Sequence, residues 1–140
     1  MIVLPLEGIM KRAYLVLILL AHLNLQAAFR ADDIIDNITH YFATGNSKEL
    51  SVYFSSTVSL SILEDNNTYS KNQTEILLQN FFDKNNCRGA KIIHRMDTNV
   101  SNRYAVLEMF SSTQKFRVSL SLKNFNSKFL ITDIRIDKTK

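Results

Sequence analysis

Past the first thirty residues, apolar positions recur with two periods. Ile34, Ile35, Ile38, Tyr41 and Phe42 repeat every three to four residues and predict a helix with one apolar stripe. Asp32 and Asp33 open it, where carboxylates accept from free amides and suit the positive end of the helix dipole. Thr44-Gly45-Asn46 ends it, with Gly45 in the left-handed stop position. Asn46-Ser-Lys-Glu49 starts a second, short helix that carries Leu50, Tyr53 and Phe54. From Ser56 the period falls to two. Val58, Leu60 and Ile62 alternate with Thr57, Ser59 and Ser61, as in a half-buried strand. Glu64-Asp65-Asn66-Asn67 is predicted as a turn, with a return strand near Thr68–Tyr69. Ser70-Lys-Asn-Gln73 has capping-box spacing. The helix behind it runs to about Asn85, with Leu77, Leu78, Phe81 and Phe82 on one side.

The remainder predicts four strands, about 90–98, 103–112, 114–123 and 129–137. The order α-α-β-β-α-β-β-β-β implies an α+β fold. Three helices from the N-terminal half pack on one face of a curved, mainly antiparallel sheet. Strand registers follow from burial, because a slip of one residue turns every side chain over. Pairing Thr98 with Arg103 sets Ile92, His94 and Met96 beside Ala105, Leu107 and Met109. Pairing Ser112 with Lys115 adds Phe116, Val118, Leu120 and Leu122. Pairing Lys123 with Phe129 adds Leu130, Thr132, Ile134 and Ile136. This nearly apolar set is expected to face the helices. The opposite face then carries Tyr104, Val106, Phe110, Phe129 and Ile131 among cations that include Arg95, Arg117 and Arg135. An apolar patch ringed by cations marks protein contacts. It leads to the expectation of a homodimer or partner contact through Tyr104, Val106, Phe110, Arg117, Phe129, Ile131 and Arg135.

The first thirty residues differ from the rest. Lys11 and Arg12 precede the apolar run 13–21, which His22 and Asn24 interrupt before Gln26-Ala27-Ala28. The run is short of the roughly 20 apolar residues that cross a bilayer. A positive start, a short apolar middle and small residues at the end describe a secretory signal peptide. Residues 1–28 are therefore expected to be a signal peptide, cut after Ala27 or Ala28, and residues 29–140 a single exported domain, periplasmic or secreted, with no membrane span left after cleavage. Met10 can itself start such a signal, which makes residues 1–9 an upstream extension.

Taken together, these elements resemble the nuclear transport factor 2-like superfamily, the cystatin-like α+β cone also used by ketosteroid isomerases. The resemblance covers about Asp32 to Asp137. It rests on element order, on the Ile34/Ile38/Tyr41/Phe42 helix and on the Phe116–Leu122 and Leu130–Ile136 strand pair. Within that superfamily the chain is similar to a family of exported bacterial proteins of unknown function, through Asp32-Asp-Ile-Ile-Asp…Phe42-Ala-Thr-Gly-Asn46…Phe54 and Phe129-Leu-Ile-Thr-Asp-Ile-Arg-Ile136. The resemblance implies dimerisation through the sheet and a pocket between sheet and helices. The superfamily holds both enzymes and binders, so it does not fix a function. The isomerase pattern, a Tyr and two carboxylates converging in the pocket, has no counterpart on the expected inner strand face.

Composition narrows the chemistry. With 140 residues and 46% hydrophobic content the chain makes one domain with a core. Three Gly and one Pro exclude collagen-like and low-complexity chains, and a lone Cys87 excludes an internal disulfide framework. Cys87 is expected to be buried. Residues 28–87 carry net −4 and residues 88–140 net +7, which suits a solvated sheet surface or anionic partners. No nucleic-acid motif is present.

His94 is the one ionisable residue on the expected inner strand face. The candidate pocket is His94, Tyr41, Tyr53, Met96 and Thr132, with His94 either a general base or a core histidine bonded to Tyr41, Tyr53 or Thr132. No metal spacing and no phosphate loop appear, so no cofactor is expected. Ser112-Thr-Gln-Lys115 falls on a hairpin turn and lacks companion motifs. The expected function is a non-catalytic binding module for a small apolar ligand or a protein partner. The alternatives are a small pocket enzyme using His94 and a structural envelope component.

Overall fold

The computed structural model describes residues 6–27, 33–97 and 99–140. The chain divides into two compact units at Asp32/Asp33. The first carries helix α1 (Leu6–Ala27). No helix among the described residues is long and apolar enough to cross a membrane. Asp32, Thr98 and the far side of the Ala27–Ala28 junction lie outside the described residues.

The second unit begins with α2 (Ile34–Thr44). Its N-cap is Asp33, whose Oδ1 accepts from the Ile35 amide at 2.9 Å. Gly45 closes it at φ 64°, where its N–H reaches the Phe42 carbonyl. Asn46 then caps α3 (Ser47–Ser51) by accepting from the Glu49 amide at 3.1 Å. The short helix stops before Tyr53 and Phe54, and Phe54 opens β1 (Phe54–Ile62). A two-residue turn, Leu63-Glu64, leads to β2 (Asp65–Ser70), so Asp65–Asn67 belong to a strand and not to the expected turn. The serine half of the expected capping box forms at Ser70, and Gln73 answers through the serine hydroxyl rather than the backbone amide. The Ser70 Oγ accepts from the Gln73 amide at 3.2 Å and its hydroxyl donates to Gln73 Oε1 at 3.4 Å, which starts α4 (Lys71–Asn85).

Four antiparallel strands complete the unit: β3 (Cys87–Met96), β4 (Asn102–Ser111), β5 (Lys115–Phe125) and β6 (Lys128–Lys138). The sheet order is β2-β1-β6-β5-β4-β3. Only β1 and β6 run parallel. α2, α3 and α4 cover one face.

The core lies under those helices. Ile35, Ile38, Phe42, Leu50, Leu78 and Phe82 meet Val58, Leu107, Phe116, Val118, Leu120 and Ile134, all of them buried. Aromatic edges link the layers. Phe42 meets Phe82 at 5.8 Å, Phe82 meets Phe81 at 6.3 Å and Phe81 meets Phe116 at 5.1 Å between ring centroids. Such edge-to-face pairs add about 0.5–1.5 kcal/mol each beyond burial.

Two bulges overturn part of the expected face assignment. In β3, Ile92 pairs with Leu107 and His94 with Val106, leaving Ile93 as the extra residue. An inserted residue reverses the facing of everything beyond it. His94 and Met96 therefore turn outward and are exposed, while Arg95 pairs with Ala105 and turns toward α2. In β6, Leu122 pairs with Ile131 and Ser121 with Asp133, leaving Thr132 as the extra residue. Ile131 is thus in the core, paired with Phe54, and Phe129 packs against that core. Both had been expected outside, and Leu130 and Thr132 inside.

Candidate functional site

The expected pocket residues separate into two groups. Tyr41 and Tyr53 stay on the helical side, half-buried against the core, with ring centroids 6.2 Å apart. His94 and Met96 lie on the opposite sheet face, and the bulged Thr132 donates to the Ser121 carbonyl at 3.4 Å. The sheet itself separates Tyr41 and Tyr53 from His94 and Met96. Among the described residues, the buried polar side chains are the hydroxyls of Thr39, Ser47, Ser51 and Thr74. Three of these are bonded to carbonyls within their own helix or cap, at Ile35, Lys48 and Ser70, and Ser47 donates to Gln79.

An ion cluster lies where α2 meets β3 and β4. Asp33 Oδ2 accepts from Arg103 Nη2 at 2.9 Å and lies 3.5 Å from Arg95 Nη1. Arg95 also donates to Asp36 at 2.8 Å, and Arg103 to Asp97 at 2.6 Å. The Arg103 guanidinium sits 5.6 Å from the centre of the Phe129 ring. The hydrogen bond from Arg103 holds the Asp33 carboxyl below the usual carboxylate range, against a smaller upward push from burial. Sequence reading missed this cluster because it placed Arg95 on the outer face.

The sheet and α4 diverge at the β1–β2 hairpin and leave a cleft of about 890 Å³. Its floor is apolar: Leu60 and Ile62 of β1, Tyr69 of β2, and Leu77 and Phe81 of α4. Its rim is polar, with Glu64 and Asp65 at the hairpin and Lys84 and Lys138 beside it. Leu63, at the hairpin tip, also lines it and holds φ 57°, with its N–H bonded to the Ile136 carbonyl at 2.8 Å. The signal for this cleft was present in the sequence. Leu77 and Phe81 are one helical turn apart, and Tyr69 alternates with polar neighbours.

On the outer sheet face, Glu108 lies 3.5 Å from Lys91 and 3.6 Å from Lys115. Both ammonium groups stand over the Phe110 ring, at 5.5 and 5.4 Å. Tyr104, Val106 and Phe110 are half-buried there, and Arg117 and Arg135 are exposed. Cys87 is half-buried and free, and burial pushes its thiol up. No group of three metal-ligating side chains occurs among the described residues.

The sequence pattern described as Domain of unknown function (DUF4783) matches residues 35–137. Among solved structures, a DUF4783 family protein from Bacteroides ovatus is 28% identical with a TM-score of 0.70, over 74% of this chain and 93% of that one. One from Bacteroides fragilis is also 28% identical, with a TM-score of 0.71, over 76% of this chain and all of the other (100%). A Nostoc punctiforme domain of unknown function with a cystatin-like fold is 11% identical and has a TM-score of 0.62, over 82% of this chain and 77% of that one; it shares the fold alone. No match is found among curated proteins.

Proposed function

The chain belongs to the DUF4783 family, within the nuclear transport factor 2-like superfamily of cystatin-like α+β folds, and from that premise we propose that it is an exported, non-catalytic module that binds a small apolar ligand in the cleft between α4 and the β1–β2 hairpin. The cleft carries the reading. An apolar floor with a few convergent polar groups at the rim, in a volume of about 890 Å³, has the form of a small-molecule site. The floor supplies affinity by removing apolar surface from water, at about 25 cal/mol per Å². The rim ammonium and carboxylate groups orient the polar end of the ligand. Binding is favoured over catalysis because the buried polar side chains among the described residues are hydroxyls already bonded to backbone or amide groups. Export rests on the cationic start and short apolar run of residues 11–21.

A dye titration tests the reading. Anilinonaphthalene sulfonate combines an apolar body with one anionic group. It is expected to bind one site on the wild-type protein saturably. Leu77→Trp, which fills the cleft, is expected to weaken it about tenfold, or 1.4 kcal/mol. Equal binding to the two proteins at unchanged thermal stability would contradict the assignment.

A further inference from the structure

We infer, on the premise that the cleft is a ligand site, that its ligand is a short peptide of apolar residues with both termini free, the amino end at Glu64 and Asp65 and the carboxylate end at Lys84 and Lys138. Three properties of the cleft converge on that chemistry: its charges, its span and its side-chain amides.

Charges of both signs line the cleft and have no partner in the chain. Glu64 and Asp65 stand at the β1–β2 hairpin, Lys84 on α4 and Lys138 on β6. Among the described residues none of the four side chains forms an ion pair or a hydrogen bond. Asp137 at the same rim differs, because Arg135 holds it at 2.8 Å. An aliphatic acid would use only the ammonium groups and a cationic amphiphile only the carboxylates. A molecule with one charge of each sign uses both.

The sheet sets the span. Asp65 is opposite Ile62, itself opposite the buried Ile136, and Lys138 is opposite the buried Phe116, so both charged residues share the helical face. β2 and β6 flank β1 and are two strand spacings apart, about 10 Å. An extended chain covers about 3.3–3.6 Å per residue, so about three residues place an ammonium and a carboxylate at that separation. A single amino acid carries both charges on one carbon and is too short.

Side-chain amides supply the middle. Asn80, Asn85 and Gln114 line the same cleft. Among the described residues the Asn80 and Gln114 side chains make no hydrogen bond, and Asn85 uses one N–H, on the Phe81 carbonyl at 2.8 Å. A carboxamide both donates and accepts, which matches a peptide group. On α4, Leu77, Asn80, Phe81 and Lys84 fall at i, i+3, i+4 and i+7, so apolar, amide and cationic contacts run along one side of the helix. Leu77 and Phe81 cover the apolar side chains of the ligand.

Calorimetric titration of the full chain with leucyl-alanyl-leucine tests the class. The free tripeptide is expected to bind one site, and its N-acetylated and C-amidated forms about fivefold more weakly, as for the loss of an exposed ion pair. Glu64→Gln with Asp65→Asn is expected to erase the preference for the free amine and keep that for the free carboxylate. Lys84→Gln with Lys138→Gln is expected to do the reverse. Both pairs are exposed, and thermal melting checks the fold; the capped peptides test the wild type without any substitution. Wild-type protein that binds anilinonaphthalene sulfonate or decanoate but not the tripeptide, or that binds the free and capped forms alike, would overturn the inference and leave the cleft standing as an apolar site. Protein that binds neither dye nor peptide would remove both.

Discussion

Arg103 donates to one oxygen of Asp33 while the other oxygen accepts the Ile35 amide, so a single carboxylate both caps α2 and ties it to β4. The Arg103 side chain is only 13% exposed, which sets this pair apart from the freely solvated ion pairs of the surface. Asp33→Ala removes both contacts and is expected to cost about 1–2 kcal/mol, the upper range for a lost cap. The pair also predicts a pH dependence. The folded carboxyl titrates below its unfolded value of about 3.9. Its contribution is therefore complete above that value and disappears as pH falls through the folded one. Urea melts between pH 3 and pH 6 are expected to show a smaller acid loss in Asp33→Asn than in the wild type. Parallel acid limbs would remove the pair from the stability account.

Gly45 is a position where glycine itself is required. Its φ of 64° is left-handed, and an added Cβ would stand 3.4 Å from the Phe82 Cβ. Gly45→Ala is expected to destabilise the domain by about 1–2 kcal/mol, measured by chemical melting.

The β5–β6 hairpin closes through Asn126 and Ser127, both at positive φ (51° and 68°), the geometry of a type I′ turn. Serine tolerates that conformation poorly and glycine accepts it freely. Ser127→Gly is expected to stabilise the domain by about 0.5–1 kcal/mol. A lower melting temperature would show that the turn is held in another form.

Cys87 is half-buried among apolar neighbours, and burial raises its pKa. Less thiolate means slower alkylation. Iodoacetamide at pH 8 is expected to modify the native protein more slowly than the same protein in urea. Equal rates would contradict the burial of this thiol.

Features set by neighbouring residues were legible in the sequence. The Ile35/Ile38/Phe42 stripe, the Gly45 stop and the Ser70–Gln73 cap follow rules acting over four residues or fewer. The inner faces of β4 and β5 were legible too, because Leu107, Val118 and Leu120 alternate without interruption. The bulges were not. Ile93 and Thr132 are ordinary strand residues, and nothing in a single strand shows that its partner lacks a residue there. One such insertion moved His94 out of the expected pocket and brought Arg95 to Asp33 and Asp36. The parallel β1–β6 pairing, which sets Phe54 beside Ile131, joins segments more than seventy residues apart and leaves no local trace. The apolar sides that carry Leu77, Phe81 and Tyr69 were legible, but their opening into a cleft beside Asp137 and Lys138 depends on that pairing as well.

Native mass spectrometry of protein purified from its own host tests the binding account most directly. The account predicts one small apolar molecule retained per chain in the wild type and lost in Leu77→Trp. A wild-type spectrum free of any adduct, or an adduct held equally by both proteins, would contradict it.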